Sequence, residues 1–338
     1  MGATAAVVGA SGYAGGELVR LLLAHPLLEV GPLIAGTRAG APVTSVHPHL
    51  AALAGRAFVA LEPADLAACD VVFLAMPHGA AAEVAERLPA DGPVVVDLGA
   101  DHRLADAEAW AHYYGTPHAG HWPYGLPELP GARRLLTSAR RIAAPGCYPT
   151  AVALALAPLL AEGIVEPDDV VVVAGSGTSG AGRSPAAHLL ASEVMGSLTT
   201  YRPGNHRHLP EMKQATGARS LSFTPLLIPM PRGILATVTA RPAGTVTSGV
   251  LRDALTAAYA GEPFVHVLPD GQWPTTAGTL GSNACHLQAT VDGDSGRALV
   301  VGAIDNLGKG AAGQALQCAN LALGIDEGAG LTTNGVAP

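Results

Sequence analysis

The chain has 338 residues, of which 49% are hydrophobic and 14% charged, so intrinsic disorder is excluded and the length suits two domains. Its formal net charge is −8, and no basic stretch exceeds the pairs Arg133-Arg134 and Arg140-Arg141, which argues against a nucleic-acid partner. The longest apolar run, Ala151 to Ala161, contains Pro158 and falls far short of the ~20 residues that a membrane span needs.

The first hundred residues alternate short apolar runs with amphipathic ones. Thr4–Val8 reads as a buried strand, Gly9–Gly15 as a glycine-rich turn, and Gly16–Ala24 as a helix ended by Pro26. Further buried strands are expected at Val30–Ala35, Val71–Met76 and Val94–Leu98, with a crossover helix at Gly79–Leu88. This rhythm predicts an α/β fold with a Rossmann-type, doubly wound parallel sheet. Residues 101–146 gather Trp110, Tyr113, Tyr114, Trp122 and Tyr124, the mark of an ordered surface region. A strand at Arg141–Ala144 leads into an apolar helix running to about Ala161. Strands then follow at Val170–Ala174, Ser220–Leu226, Ile234–Ala240, Phe264–Leu268, His286–Val291 and Ala298–Ile304. Helices are expected at Pro185–Gly196, Val250–Ala260 and Gly310–Leu323. The expected division is a dinucleotide-binding domain over residues 1–146 and an α+β catalytic and oligomerisation domain with a mixed sheet over 147–306. The final helix, within 307–325, is expected to pack back on the first domain.

The sharpest local signal is Gly9-Ala10-Ser11-Gly12-Tyr13-Ala14-Gly15, between a strand and a helix. Glycines let the backbone approach a pyrophosphate, and a helix N-terminus offers it N–H groups and a positive dipole end. The same spacing also suits a tight turn without a ligand. The second strand ends in Gly36-Thr37-Arg38 where an NAD site carries an acidic residue. Thr37 and Arg38 are suited to a 2′-phosphate, so NADP is expected, unless Arg38 is only a solvated loop charge.

Cys147 lies between Pro145-Gly146 and a helix start, where dipole and free N–H groups stabilise a thiolate and arm it as a nucleophile. A buried structural role is the alternative, and it suits Cys69, Cys285 and Cys318. The cysteines show no Cys-x-x-Cys spacing, so neither a disulfide framework nor a zinc site is expected. In His206-Arg207-His208-Leu209-Pro210-Glu211, one helical turn brings His208 and Glu211 to one face, as acid–base work at neutral pH requires. A solvated polar loop would show the same residues. His206-x-His208 and His47-x-His49 lack a clear third ligand, so no metal is expected. Arg232, set among Pro and Gly, suits bidentate capture of a carboxylate or phosphate, and Arg103 is a second candidate. The loop Ser176–Gly182, with Gly177 and Ser179, could wrap a cofactor or an acyl phosphate, and Asn306 could offer an amide to a nicotinamide.

Taken together, the chain resembles the N-acetyl-γ-glutamyl-phosphate reductases, relatives of the aspartate-semialdehyde dehydrogenases. The resemblance rests on GASGYAGGEL at 9–18, MPHG at 76–79, YGLPE at 124–128, PGCYPT at 145–150, GTSGAG at 177–182, HRHLPEM at 206–212, PMPRGI at 229–234 and DNLGKGAAGQA at 305–315. It implies NADPH-dependent reduction of an acyl phosphate to a semialdehyde through a thioester on Cys147, with His208 moving the proton. Glu211 joins these two as a catalytic candidate. It implies cofactor contacts at Gly9, Ser11, Gly12, Tyr13, Ala14, Thr37, Arg38, Pro77, His78, Gly177, Ser179 and Asn306, and substrate contacts at Arg103, His206 and Arg232. Either His206 or His208 could be the acid–base; His208 is favoured by its spacing to Glu211. The resemblance also implies a homotetramer, while the lack of a targeting or spanning segment and of a basic stretch leads to the expectation of a cytoplasmic protein with no membrane or nucleic-acid partner. Two departures stand near the expected site. Asp97-Leu98-Gly99-Ala100-Asp101-His102-Arg103 replaces the family's Asp-x-Ser-Ala-Asp-Phe-Arg, and Ala144 stands where many members carry Asn. The alternatives are a relative acting on another acyl phosphate, carrier-linked or aspartyl, and a non-catalytic NADP-binding regulator.

Overall fold

Strands that are apolar along nearly their whole length must be covered on both faces, and the central three of the first five meet this requirement in one parallel sheet. The five are β1 (Ala3–Val8), β2 (Leu28–Ile34), β3 (Val71–Leu74), β4 (Val94–Asp97) and β5 (Arg141–Ala143), in the order β2-β1-β3-β4-β5. Alternation along β1 assigns the two faces. Ala5 and Val7 join a core with Leu18 and Leu22 of the helix Tyr13–Leu23 and Leu316 and Ala319 of the helix Gly313–Ala322. Ala6 and Val8 pack on the other side with Leu66, Val84 and Leu88. The chain order reverses between β1 and β3, and in open α/β sheets that switch point is where ligands gather. The loops that follow these two strands carry Gly9–Gly15 and Met76–Gly79.

The computed structural model describes residues 2–337. The molecule divides into two units, the first comprising Met1–Ala111, Gly115–Pro145 and Ala311–Leu331, the second His112–Tyr114, Gly146–Gly310 and Thr332–Pro338. Residues 112–114 and the C-terminal segment therefore group with the second unit, which their position in the sequence does not suggest.

The second unit is built on a mixed seven-stranded sheet. Its strands are β6 (Val170–Ser176), β7 (Thr199–Thr200), β8 (Leu221–Leu227), β9 (Ile234–Ala240), β10 (Val265–Val267), β11 (Cys285–Val291) and β12 (Ala298–Ile304). The order is β10-β11-β12-β9-β6-β8-β7, parallel only between β6 and β8 and between β10 and β11. The helix Cys147–Ala161, buried at every position from Tyr148 to Ala157, packs against β9 and β12, and the helix Ser248–Ala258 against β11. On β9, Ile234, Ala236, Val238 and Ala240 are buried, whereas Leu235, Thr237 and Thr239 are only half-buried.

One expected element changes form. Residues 185–196 do not make a single helix: a 3-10 turn at Ala187–Leu189 and one α turn at Ala191–Val194 are separated by Leu190 in extended conformation. Leu190 and Met195 face outward, 58% and 76% exposed, so no packed face offsets the cost of nucleating a longer helix.

Candidate active site

In the first unit the glycine-rich loop has the geometry its sequence demands. Gly9 adopts φ +82°, and a Cβ there would lie 2.1 Å from the Ala75 carbonyl oxygen. A Cβ on Gly15 would lie 2.3 Å from the Gly9 carbonyl oxygen, so the turn closes only with glycine at both positions. Gly12 is the N-cap of the helix Tyr13–Leu23, and no side chain caps that terminus. His47, buried, bonds through Nε2 to the Ala10 carbonyl at 2.9 Å, so Nε2 carries the proton and pins the loop from behind. Thr37 and Arg38 stand exposed past β2, and Pro77 and His78 are exposed past β3. The carboxylate of Asp101 accepts from the backbone N–H groups of Gly79, Ala81 and Ala82 at 2.7, 3.0 and 3.3 Å, which fixes the Met76–Gly79 loop.

One departure from the family pattern, His102 in place of phenylalanine, has a local explanation. Asp97, fully buried at the end of β4, accepts from Gly99 N–H at 2.7 Å and pairs with His102 Nδ1 at 2.8 Å. The His102 ring also stacks on Trp122 at 3.6 Å between centroids, keeping the flat packing surface a phenylalanine would give and adding a polar tie to Asp97. Arg103 is 5% exposed; its Nε donates to the Ala144 carbonyl at 2.7 Å and its Nη2 to the Leu98 carbonyl at 2.8 Å. It braces the backbone three residues before Cys147.

In the second unit, Cys147 opens the helix Cys147–Ala161, half-buried, behind an extended Gly146 with no side-chain cap. Glu211, 1% exposed, accepts from the Gly146 N–H at 2.8 Å through Oε1. The predicted helical turn is present, with His208 as N-cap of the helix Leu209–Thr216 and Glu211 in its first turn. The carboxylate thus engages the backbone that presents the thiol. His206 is buried, with ring centroids of Tyr148, Tyr201 and Phe223 5.7, 5.5 and 5.2 Å away. Burial, reinforced by Arg207 and Arg202, pushes its pKa down to about 4. The His206 Nδ1 accepts from the His208 N–H at 3.1 Å, so the neutral ring carries its proton on Nε2. The His208 ring lies 4.8 Å from that of His206. Tyr201 OH donates to Tyr148 OH at 3.0 Å, which donates to the Leu226 carbonyl at 3.2 Å. Burial pushes Tyr201 up to about 12, and negative charge at Cys147 adds to the shift, so this hydroxyl stays protonated in the field of the thiolate.

Three motif loops of this unit are stitched together. Thr178 N–H donates to the Met230 carbonyl at 2.9 Å, Ser179 N–H to the Pro231 carbonyl at 3.1 Å and Gly177 N–H to the Gly233 carbonyl at 2.9 Å. Asn306 accepts from Gly233 N–H through Oδ1 at 2.7 Å and donates through Nδ2 to Ser179 Oγ at 3.0 Å. Arg232 sits over this seam, its guanidinium paired with Asp305.

Comparison with known proteins decides the family. Residues 4–135 match the semialdehyde dehydrogenase NAD binding domain and residues 147–306 the semialdehyde dehydrogenase dimerisation domain. The N-acetyl-gamma-glutamyl-phosphate reductases of Frankia casuarinae and Salinispora arenicola are each 60% identical to the chain, covering 100% of both sequences. The chain belongs to the N-acetyl-gamma-glutamyl-phosphate reductases. Aspartate semialdehyde dehydrogenase of Candida albicans, solved with NADP, shares the fold at a TM-score of 0.71 and 17% identity, over 95% of this chain and 98% of its own. Aspartate semialdehyde dehydrogenase II of Vibrio cholerae does so at a TM-score of 0.69 and 16% identity, over 96% and 98%.

Within this reductase family the first unit fits a dinucleotide on its own geometry. A cradle of glycines that a Cβ would fill meets an uncapped helix N-terminus at the switch point of a parallel sheet. In the second unit, the sequence motifs single out Cys147, His206, His208 and Glu211. Sequence reading missed Tyr201, which no local signal marks, and it passed over Tyr148 and Asp305 although both stand inside quoted motifs.

Proposed function

We infer that this chain reduces N-acetyl-γ-glutamyl phosphate with NADPH, giving N-acetylglutamate 5-semialdehyde and phosphate through a thioester on Cys147. The observation that carries the reading is Cys147 at a helix N-terminus, with Glu211 holding the Gly146 N–H before it and the next residue, Tyr148, in ring contact with His206 and His208, in a chain 60% identical from end to end to reductases of that name. Cys147 Sγ attacks the acyl carbon, the carbon–oxygen bond to phosphate breaks, and phosphate leaves with the bonding pair. NADPH, held by Gly9–Gly15, Thr37, Arg38, Pro77 and His78, supplies when bound the hydride that reduces the thioester. His208 protonates the oxygen that becomes anionic at that carbon and recovers the proton as the carbon–sulfur bond breaks, which restores the thiolate and frees the aldehyde. His206, kept neutral by burial, presents Nε2–H as a donor to the substrate. Arg232 would bind the substrate α-carboxylate, with Arg103 as a second candidate for a substrate contact. Gly177, Ser179 and Asn306 are the further residues that would bind the cofactor.

The reading extends to assembly and location. The half-buried residues of β6, β9 and β12 alternate with the core-facing ones, giving the seven-stranded sheet a second face on which Val173 is 40% exposed. A second copy covering that face makes a homo-oligomer, a tetramer by the family resemblance. The proposed location is the cytoplasm, a reducing compartment in which the four cysteines would stay thiols.

The reverse reaction tests the function. NADP reduction with N-acetylglutamate semialdehyde should require phosphate and disappear in Cys147→Ala, and NAD and aspartate semialdehyde should be poor replacements. Turnover that survives in Cys147→Ala, or that ignores phosphate, would overturn the thioester route.

A further inference from the structure

Asp305 is fully buried at the end of β12, yet five donors converge on its carboxylate. Arg232 Nε reaches Oδ1 at 3.1 Å and Arg232 Nη2 reaches Oδ2 at 2.9 Å, a bidentate fork. The Gly281 N–H donates to Oδ2 at 2.6 Å, and the N–H groups of Leu307 and Gly308 donate to Oδ1 at 2.9 and 3.2 Å. The turn so formed closes when Gly310 N–H bonds to the Asp305 carbonyl at 2.9 Å. Gly310 in turn lies directly on the nucleophile, since a Cβ there would be 2.8 Å from the Cys147 Cβ. One carboxylate therefore grips the arginine from one side and shapes the turn behind the thiol on the other.

We propose that Asp305 is a positioning residue: it acts on the substrate through Arg232, fixing the guanidinium relative to the turn that backs Cys147. The proposal rests on the reading of Arg232 as the substrate-carboxylate site. A guanidinium held along its Nε–Nη2 edge has its remaining donors aimed in one direction, and that pre-alignment lowers the ordering cost of capturing a carboxylate. Coulomb attraction in this dry setting keeps the long side chain, 22% exposed, from sampling other rotamers.

A double-mutant cycle tests it. Arg232→Lys and Asp305→Asn should each raise KM for N-acetylglutamate semialdehyde by about 10- to 100-fold and change kcat by less than about fivefold, the signature of lost uniform binding. In an Arg232→Ala background, adding Asp305→Asn should worsen KM by no more than about twofold, because Asp305 then has no cation left to act through. Multiplying effects would overturn the role of Asp305 and leave that of Arg232 standing. An unchanged KM in Arg232→Lys would remove the carboxylate site and this proposal with it. If Asp305→Asn does not fold, Arg232→Ala serves instead. Added guanidinium should seat on Asp305 and lower KM at least about fivefold, and methylammonium, which cannot form the fork, should not. Absence of rescue, or equal rescue by both ions, would overturn the proposal.

Discussion

His206 shows how one side chain can be legible in type and illegible in role. Its sequence context, two histidines flanking an arginine, offers either ring as the acid–base. Only the fold buries His206 beneath Tyr148, Tyr201 and Phe223 and makes it an Nδ1 acceptor for the next histidine's backbone. That environment has a measurable consequence. The folded pKa is lowered from the ordinary 6.5 to about 4, so the unfolded chain takes up a proton first as pH falls. Stability contributed by the neutral ring is present above about pH 6.5 and is lost as pH falls through that window toward 4. At pH 5 the loss should be about 2 kcal/mol. His206→Gln should flatten this part of the profile in urea denaturation at pH 7 and pH 5. An equal loss in wild type and variant would assign the acid sensitivity elsewhere. Cys147 was legible as a thiol at a helix start and Glu211 by its spacing from His208, whereas Tyr201 was not, because it reaches this region from a loop far along the sequence.

At the scale of elements, periodicity carried the argument where packing is regular. The strands β9 and β12 run over the residues their alternation indicates, and the glycine-rich turn follows β1 as its spacing requires. The prediction failed at 185–196, where apolar residues suggested a packed helix but Leu190 and Met195 lie 58% and 76% exposed. A helix-like pattern without a partner surface does not become a helix. The turn after β1 is the opposite case, with conformation enforced by sterics alone. Gly9→Ala combines a positive φ with a Cβ 2.1 Å from a backbone oxygen. Backbone must move, and we expect a loss of about 2–4 kcal/mol in stability. The helix N-terminus would move with it, so NADPH binding should weaken by at least about tenfold in fluorescence titration. Normal affinity in a folded Gly9→Ala protein would mean that the loop is not the pyrophosphate cradle.

The whole molecule poses a question that neither unit answers alone, namely what the second face of the seven-stranded sheet meets. Its inner face is sealed by the helices Cys147–Ala161 and Ser248–Ala258. The outer face carries Val171, Val173, Leu235, Thr237, Leu299 and Val301, apolar or β-branched side chains that are half-buried or exposed in the single chain. Such a surface is costly to leave in water, and a sheet face copied on an identical chain is self-complementary about a twofold axis. The chain also matches a dimerisation domain over these strands. Val173→Lys places a charge on β6, inside the ordered sheet, where removal of a 40%-exposed valine costs the isolated unit little. The variant should therefore stay folded by circular dichroism while its mass by light scattering drops toward the single-chain value of 33.9 kDa, whereas the parent shows a multiple of it. An assembled Val173→Lys protein would move the interface off this face. A parent protein that is already monomeric would leave the face as ordinary solvated sheet and end the oligomer reading.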